Sequence, residues 1–358
     1  MSNAYGSDIE SFRVDPQTIA ESIGLKQEIE RLKKENCELR NRIKKNANGY
    51  DTSARESVAP LRPLSASEFL TLELPPRELI IDPWLPTKGL AMVHSKRGAG
   101  KTFLLLGAAY AVSCGEDFLG FNISKPRRVL FIDGEVPGES MQRRLAALVQ
   151  SFAKEPPDPA YFRILSADTT ESGLPDLGAT SGQAELDAAI GDAEVVFVDN
   201  LSTLVRSGKE NEGDSWLSVQ GWALAHRRGG RSVVVAHHTG KNGLQRGTSR
   251  REDVLDTVIH LRQPSDYSPE QGARFEVHYE KNRGFYGDDA RSFEAKYEER
   301  NNAAMWTRTG LADVELDRVA NALNEGMSIR DIAEMLGIHR SKVERLKNKA
   351  KEMGKLNV

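Results

Sequence analysis

Residues 95–102 read SKRGAGKT and have the composition and spacing of a phosphate-binding loop. A loop of small residues between a strand and a helix points successive backbone N–H groups at one anion. Lys101 adds a positive charge for the β- and γ-phosphates, and the Thr102 hydroxyl is a ligand for Mg²⁺. Ser95 stands where the P-loop pattern has its first glycine. We therefore predict that ATP and Mg²⁺ bind at Ser95, Lys96, Arg97, Gly98, Ala99, Gly100, Lys101, Thr102 and Phe103.

Polar side chains follow three other apolar runs. Asp199 ends the run 195–198, and its carboxylate is expected to hold Mg²⁺ together with Thr102. Glu135 follows the run 129–132 and is placed to activate water for attack on the γ-phosphate. His237 and His238 end the run 233–236, and one of them is expected to sense the γ-phosphate. A lone acid after a strand is commonly a helix cap, so the prediction depends on several of these groups converging on one loop.

The elements that would position these groups alternate between short apolar runs and helical patterns. The runs are 89–94, 129–132, 161–165, 195–198 and 233–236, and they are rich in Val, Ile and Phe. Helical stretches at 139–154 and 213–228 are long enough to cross between parallel strands. Strands of this composition are buried on both faces. The sequence therefore predicts an α/β fold with a parallel, doubly wound sheet and a site at the carboxyl ends of its strands.

The segments GAGKT at 98–102, FIDGE at 131–135, VDNL at 198–201 and AHHTGK at 236–241 together resemble the RecA-like ATPases. Within them the resemblance is nearest to plasmid replicative helicases of the RepA type, with DnaB-type helicases and RadA more distant. It covers roughly residues 85–285 and implies a RecA-like parallel sheet flanked by helices. It matches Glu135 with a catalytic glutamate and His237 or His238 with a histidine after the fourth strand. It also implies rings or filaments with ATP between neighbouring copies.

Three cations are candidates for completing such a site from a neighbouring copy. Lys281 and Arg283 follow an alternating strand at 274–279 and are similar to a Lys-x-Arg element of related motors. Arg246 lies after a Gly-rich loop, in a region where relatives carry DNA-contacting loops or a trans-acting arginine, and Lys241 in that loop is a candidate DNA contact. A cation arriving from outside neutralises charge that develops during phosphoryl transfer. The alternatives are a solvated hairpin end for Lys281 and Arg283, and an ordinary surface loop for residues 239–249.

Residues 21–46 have the heptad spacing of a parallel two-stranded coiled coil that follows a flexible tail at 1–20. A coiled coil of this kind prefers Leu at d, Ile at a and a single Asn at a. The matching residues are Leu25, Ile29, Leu32, Asn36, Leu39 and Ile43. Oppositely charged pairs flank this seam. A helix packed on its own ATPase domain is the alternative. Residues 47–63 lack a period and are predicted to be a linker, and the ATPase domain is expected to span 64–310.

Residues 311–358 are predicted to form three helices that resemble a resolvase-like helix-turn-helix. Ala333, Gly337 and Val343 have the spacing that this motif needs for close approach, a left-handed turn and a core contact. Residues 338–355 contain seven Lys or Arg and two Glu, a net charge of +5. Such a helix suits a DNA backbone, and a protein-docking module is the alternative. The candidate DNA contacts here are Arg340, Ser341, Lys342, Arg345 and Lys349.

The composition limits the classes of protein to which this chain could belong. The chain has 358 residues, 39% of them hydrophobic and 28% charged, and it contains neither a long apolar run nor a charged-then-apolar leader. Its two cysteines have no metal or redox spacing, which favours a reducing, cytoplasmic setting without a membrane. We expect a self-assembling ATPase that binds DNA, most concretely a plasmid or phage helicase. A regulator in which ATP switches DNA binding is the alternative. A RadA-like recombination ATPase is less favoured because the usual zinc-ligand cysteines are missing.

Overall fold

The computed structural model describes residues 62–206, 212–239 and 253–356, together with the isolated positions 31, 34 and 38. The chain divides into two compact units, residues 1–74 and residues 75–358. In the first unit, helix α1 (Ala66–Leu70) begins with a capping box in which Ser65 and Glu68 bond to each other's backbone N–H. The predicted coiled coil at 21–46, the tail and almost all of the linker lie outside the described residues.

A nine-stranded sheet forms the centre of the second unit, with the order β11-β10-β9-β8-β3-β7-β6-β4-β5. Six neighbouring strands, from β8 to β5, run parallel, and β9, β10 and β11 extend the sheet as antiparallel strands. A separate short hairpin pairs β1 with β2. The strands are Leu79–Ile81 (β1), Leu85–Pro86 (β2), Leu90–Ser95 (β3), Val129–Asp133 (β4), Phe162–Ser166 (β5), Val195–Asp199 (β6), Ser232–His238 (β7), Thr257–Arg262 (β8), Arg274–Asn282 (β9), Phe293–Arg300 (β10) and Ala303–Gly310 (β11).

Helices cover both faces of the parallel strands because side chains alternate between the two faces along each strand. Ala91 and Val93 of β3 pack in a core with the helices that follow β3 and β4. Leu90 and Met92 face the opposite core, where two later helices pack. The remaining helices are Lys101–Cys114 (α2), Gly138–Ser151 (α3), Thr180–Ile190 (α4), Leu201–Leu204 (α5), Glu212–Arg228 (α6), Leu311–Asn324 (α7), Ile329–Leu336 (α8) and Arg340–Glu352 (α9).

The predicted α/β fold, a RecA-like parallel sheet flanked by helices, is confirmed. Each of the five apolar runs is a strand, with ends within two residues of the predicted positions. The predicted helix at 139–154 is α3, which ends three residues earlier, and the one at 213–228 is α6. The parallel strand β8 and the antiparallel hairpin β10–β11 were not predicted. Strand β10 alternates apolar with charged residues, and β11 is mostly exposed, so neither strand of the hairpin has the Val-, Ile- or Phe-rich run of a doubly buried strand.

The helices α7, α8 and α9 pack around a small core of their own, which includes Leu316, Ile332 and Val343. The hydroxyl of Ser328 caps α8 by accepting a hydrogen bond from the Asp331 N–H at 3.2 Å. Gly337 ends α8 at a φ of +64°, a left-handed conformation that favours glycine. The predicted order of helix, turn and helix is therefore present, whereas the domain boundary at 310–311 and the DNA-binding role stay predictions.

None of the helices in the described ranges has the length and apolar character needed to span a membrane.

Glu294 of β10 connects α7 to the antiparallel strands. Its Oε2 lies 2.9 Å from a guanidinium nitrogen of Arg274 in β9 and 2.9 Å from one of Arg318 in α7. Asp266 lies within 3.2 Å of both arginines. The side chains of Glu294, Arg274 and Arg318 are 13%, 10% and 18% exposed, so the pairs are largely shielded from water. Shielded pairs of this kind are costly to break, since the remaining charge loses its partner.

We expect Glu294→Ala to lower the free energy of unfolding by about 2 kcal/mol, because two shielded arginines lose their nearest carboxylate. Asp266 remains beside both, with Gln271 at 3.0 Å from Arg274 and Glu276 at 3.9 Å from Arg318. Asp288→Ala is the matched control, since it removes an ion pair with Arg291 whose side chains are 82% and 76% exposed. Loss of such an exposed pair is expected to change stability by less than about 0.5 kcal/mol. Urea denaturation followed by circular dichroism measures both. Equal effects of the two substitutions would contradict the shielding argument.

Candidate active site

The loop between β3 and α2 makes a close turn under the antiparallel strands. Gly100 has a φ of +102°, which L side chains rarely adopt. A Cβ at this position would also lie 2.7 Å from the ring of Phe275 in β9. A side chain is therefore excluded at Gly100 both by the backbone and by its neighbour. The loop backbone is left exposed at Lys96, Arg97 and Gly98, where an anion would approach.

The ammonium group of Lys101 is buried at the start of α2. Its Nζ donates to Ser95 Oγ at 2.9 Å and to the Lys96 carbonyl oxygen at 3.3 Å. It also lies 3.0 Å from Nδ1 of His238. Burial lowers the pKa of Lys101 to about 8, and the negative charges of Asp199 and Glu135 act in the opposite direction. Lys101 is therefore mainly protonated at pH 7. Ser95, one of the predicted loop residues, contributes by accepting a hydrogen bond from its ammonium group.

Glu135, Asn200 and His238 meet at the carboxyl end of the sheet. His238 Nε2 lies 3.4 Å from Glu135 Oε2 and 3.1 Å from Asn200 Nδ2. Asn200 Nδ2 donates to the same Glu135 oxygen. The side-chain oxygen of Asn200, Oδ1, accepts a hydrogen bond from the Thr203 N–H of α5 at 3.3 Å. This bond fixes the orientation of the side-chain amide. Four elements, β3–α2, β4, β6 and β7, thus bring one connected set of polar groups together.

Of the two candidate histidines, His238 is the one that the structure places beside Lys101. The reason is alternation along β7, in which Val234 and Ala236 face the core beneath α2 and Val233 and Val235 face the opposite core. His238 continues the first set and His237 the second. Burial lowers the pKa of His238, and the nearby Lys101 lowers it further. The ring is therefore neutral at pH 7, and because Nδ1 accepts from Lys101, the proton is on Nε2. The acceptor for this proton is Glu135 Oε2 at 3.4 Å, since the Asn200 amide nitrogen is itself a donor.

Asp199 at the end of β6 is 1% exposed, and within the described part of the chain neither carboxylate oxygen has a hydrogen-bond partner. Burial raises the pKa of Asp199, while Thr102 and Lys101 act to lower it. Buried carboxylate oxygens without partners are costly unless a cation is near. Asp199 and the Thr102 hydroxyl are oxygen ligands of the kind that Mg²⁺ prefers, so the residues present fit this ion.

Asp133 at the end of β4 is also buried, and one of its oxygens, Oδ2, has no partner among the described residues. Its Oδ1 accepts from the backbone N–H groups of Glu135 at 3.3 Å and Val136 at 3.2 Å. Burial raises the pKa of Asp133 to about 6. This carboxyl group therefore orients the segment that carries Glu135. Sequence reasoning assigned no role to Asp133 or Asn200, although they lie two residues before Glu135 and one after Asp199.

A cavity of about 840 Å³ extends from the P-loop to the antiparallel part of the sheet. The loop between β8 and β9 lines one side at Tyr267 and Gln271, and the end of β10 lines another at Lys296 and Arg300. Phe103 forms part of the wall, with the Tyr297 ring centroid at 4.6 Å and the guanidinium carbon of Arg144 at 4.4 Å from its ring centroid. These later residues were missed because they belong to the antiparallel extension, whose position does not follow from the motifs.

Lys281 and Arg283 lie at the opposite end of the sheet from the P-loop, near the start of β3. Lys281 is near the end of β9 and pairs with Val258 of β8. The Arg283 N–H donates to the Asp256 carbonyl at 2.9 Å, and Asp256 in turn donates to the carbonyl of Leu90 at the start of β3. The five-residue rise from there to Ser95 is about 17 Å. The structure therefore does not bring them to the P-loop of their own chain. Arg246 and Lys241 lie outside the described residues.

The candidate DNA contacts on α9 differ in exposure. Arg340, Ser341, Arg345 and Lys349 are exposed, and the last three follow one another at intervals of four residues on one face. Lys342 is half-buried, with Nζ 2.6 Å from Glu315 Oε1 of α7. This lysine helps to fix α9 against α7, so its charge is less available to an outside anion than those of its neighbours.

Comparisons with known proteins bear on this arrangement. A search of the curated proteins gives no match. Among solved structures, the chain is similar to a KaiC-like protein from the hyperthermophilic archaeon Pyrococcus horikoshii, with a TM-score of 0.44 and 13% sequence identity, over 63% of this chain and 93% of that chain. A family model described as an AAA domain (AAA_25) matches residues 54–244, more than half of the chain, and this range contains Lys101, Glu135, Asp199 and His238. The chain therefore belongs to this AAA domain family and is a P-loop ATPase.

Proposed function

We propose that this ATPase is a self-assembling DNA motor, a helicase or helicase-like replication protein, that hydrolyses ATP between neighbouring copies. The observation that supports it most is the connected series Lys101, His238 and Glu135, whose links are 3.0 Å and 3.4 Å long. This series joins a phosphate-binding group to a candidate base at the carboxyl ends of parallel strands. The same compact unit ends in an exposed basic helix, which suits a nucleic-acid backbone.

Each residue of the series has a separate task in this proposal. Lys101 presents a charge to the phosphates, since its ammonium group is already held by Ser95 and lies beside an exposed loop backbone. His238 donates its Nε2 proton toward Glu135 or toward a phosphate oxygen, because its Nδ1 is occupied by Lys101. Glu135, whose side chain is 43% exposed, accepts the proton of the attacking water.

Thr102 and Asp199 would hold Mg²⁺, which when bound screens the phosphate charges. Asn200 positions Glu135 through its amide, and the backbone of α5 fixes that amide in turn. A fixed neighbour of this kind reduces the reorganisation that Glu135 undergoes when water is activated. Asn200 is therefore proposed as a positioning residue.

Arg283, with Lys281, is proposed to act on the ATP of a neighbouring copy. The distance from its own P-loop, about 17 Å along β3, excludes action within one chain. The exposed Arg283 side chain lies just beyond the end of β9, where its guanidinium group donates to the Asp253 carbonyl at 2.7 Å. A backbone carbonyl neutralises none of its charge, so the group keeps a full positive charge for an incoming phosphate.

The DNA-binding part of the proposal depends on the lysines and arginines of residues 338–355 that form no ion pair with the described part of the chain. Lys342 and Lys355 form ion pairs with Glu315 and Asp317 of α7. Within the described residues no ion pair is formed by the other five cations of this region, which all lie on the exposed surface of α9. Those five are Arg340, Arg345, Lys347, Lys349 and Lys351.

A regulator that changes DNA binding when ATP binds is the second candidate. The Arg318–Glu294 ion pair supports it, because it attaches α7 directly to the strands that border the nucleotide cavity. In this alternative the three terminal helices respond to the nucleotide, and no DNA strands are separated. The two candidates differ in what the bound DNA undergoes, so a measurement of strand displacement distinguishes them.

We expect Glu135→Gln to reduce ATP turnover about a hundredfold or more while ATP binding persists, because the amide cannot accept the water proton. Glu139→Gln is the matched control, since Glu139 is exposed in the first turn of α3 and does not line the cavity. Phosphate release measures turnover, and a fluorescent ATP analogue measures binding. Full turnover in Glu135→Gln would remove this residue from the mechanism. An equal loss of turnover in Glu139→Gln would show that the effect does not depend on the position of Glu135 in the site.

We expect Lys101→Ala and Arg283→Ala to be nearly inactive separately and to recover turnover when mixed. In a mixed assembly, the intact P-loop of one variant meets the intact Arg283 of the other, so some sites are complete. Arg291→Ala, which removes another exposed arginine, is expected to keep wild-type turnover in the same assay. Arg283→Ala with full activity, or mixtures as inactive as their components, would show that the site is not shared between copies.

We expect Arg345→Ala/Lys349→Ala to weaken DNA binding and to lower the slope of log affinity against log salt by about 0.9 for each lost phosphate contact. The control variant, Lys125→Ala/Arg291→Ala, removes two exposed cations that pair with Glu78 and Asp288 elsewhere on the unit. The wild type is expected to displace a DNA strand with ATP, and the α9 variant to lose this activity. DNA binding without displacement would favour the ATP-switched regulator instead.

A further inference from the structure

Two histidines and one glutamate meet on three neighbouring strands, outside the nucleotide cavity. His94 of β3 is in register with His260 of β8, and their rings stack with centroids 4.4 Å apart. Glu280 of β9 lies between them, with Oε2 2.8 Å from His94 Nε2 and Oε1 2.9 Å from His260 Nδ1. The three ligand atoms all lie within 4.8 Å of one another. They are therefore close enough to share one ion.

This cluster lies on the opposite face of the sheet from the ATP site. His94 continues the alternation of Leu90 and Met92, whose side chains face the core that contains α4 and α6. The next residue, Ser95, is the one that holds the ammonium group of Lys101. The cluster is thus one residue from the P-loop along the chain, but it uses the other side of β3 and shares no side chain with the cavity.

One contact of His260, between its Nδ1 and a carboxylate oxygen of Glu280, would be explained by a bound cation. Arg262 Nε donates to His260 Nδ1 at 3.1 Å, so this nitrogen presents a lone pair. The same nitrogen faces a carboxylate oxygen of Glu280 at 2.9 Å, which is also an acceptor. Two acceptors at this distance repel each other unless a proton or a metal ion lies between them. Arg262 itself is half exposed, with 50% of its side chain accessible, and is able to turn toward water.

We propose that His94, His260 and Glu280 bind a divalent transition-metal ion of the Zn²⁺ class. Two imidazole nitrogens and one carboxylate oxygen form a ligand set that suits Zn²⁺, with water in the fourth position. Mg²⁺ prefers six oxygen ligands and is not favoured by this set. The side chains of His94, His260 and Glu280 are 2%, 14% and 32% exposed, so the ion enters from the Glu280 side.

The bound ion joins the P-loop strand to the antiparallel extension. Its ligands come from β3, β8 and β9, so it adds bonds across three strands that are already joined by backbone hydrogen bonds and by the Arg262–Glu280 ion pair at 3.6 Å. A ligand that binds the folded chain and not the unfolded one stabilises the fold in proportion to its concentration and affinity. We infer that the ion fixes the end of β3, and with it the position of Ser95, independently of nucleotide.

The test measures metal binding directly and contains no nucleotide. The full chain, without a polyhistidine tag, is treated with a chelator, dialysed and titrated with Co²⁺ in the presence of excess Mg²⁺. We expect visible d–d absorption bands that saturate at one Co²⁺ per chain and are abolished by Zn²⁺. We also expect Zn²⁺ to raise the melting temperature of the chelator-treated wild type.

His260→Ala and the isosteric Glu280→Gln are expected to weaken Co²⁺ binding at least tenfold and to remove the Zn²⁺-dependent rise in melting temperature. His278→Ala is the matched control, because this histidine of β9 points to the same face but bonds Glu276 at 3.0 Å and Ser292 at 3.1 Å instead. It is expected to bind Co²⁺ like the wild type. Absence of a saturable Co²⁺ signal in the wild type, or equal binding by wild type and Glu280→Gln, would overturn the proposal.

Discussion

The ammonium group of Lys101 has to remain charged although it lies in the interior of the protein. Its proton is retained because Ser95 Oγ, the Lys96 carbonyl and His238 Nδ1 accept hydrogen bonds within 3.3 Å, and because Asp199 and Glu135 contribute negative charge. These partners come from the end of β3, from β6, from β7 and from the segment after β4. The order of the parallel strands is therefore what brings together the groups that stabilise the buried charge of Lys101. A phosphate arriving at the loop meets this charge already oriented, which is how preorganised sites lower the cost of binding and reaction.

The antiparallel strands β9 and β10 form one side of the space around the P-loop. Phe275 of β9 packs against Gly100 so closely that no side chain fits there. Strand β10 supplies Tyr297, whose ring lies against Phe103, and Glu294, which holds Arg274 and Arg318. The wall of the cavity and the attachment of α7 thus belong to one hairpin. Residues Lys296 to Arg300 of β10 line the cavity, and Glu294 of the same strand contacts Arg318 of α7, so a single strand links the cavity to the C-terminal helices.

The sequence was sufficient to predict five of the six parallel strands and their polar ends, whereas the parallel strand β8 was not predicted. Apolar runs such as 195–198 identify doubly buried strands, and in a parallel sheet the residues after such runs meet at one edge. The choice between His237 and His238 depends on which face α2 covers, and alternation alone leaves both faces equivalent. Strand β10 has charged residues at alternate positions and β11 is mostly exposed, so both resemble surface segments until their partners are known. Asn200 contributes through a side-chain contact with Glu135, 65 positions away, that no local pattern contains.

The two faces of β3 serve different groups at adjacent positions. Ser95 turns toward Lys101, and His94 turns toward Glu280, which lies 186 positions later in the chain. Backbone hydrogen bonds hold β3 between β7 and β8, so neither side chain moves far without the other. The proposed metal ion on His94 would therefore limit the displacement of Ser95 when phosphate binds beside Lys101. Strand β9 contains Glu280 near its end and leads directly to Arg283, so the proposed ion would also fix the segment that is proposed to reach the neighbouring copy. The proposed metal site, the P-loop and the proposed trans-acting arginine are thus connected through β3 and β9, which β8 joins in the sheet. A change in the position of one of these strands is therefore expected to affect all three.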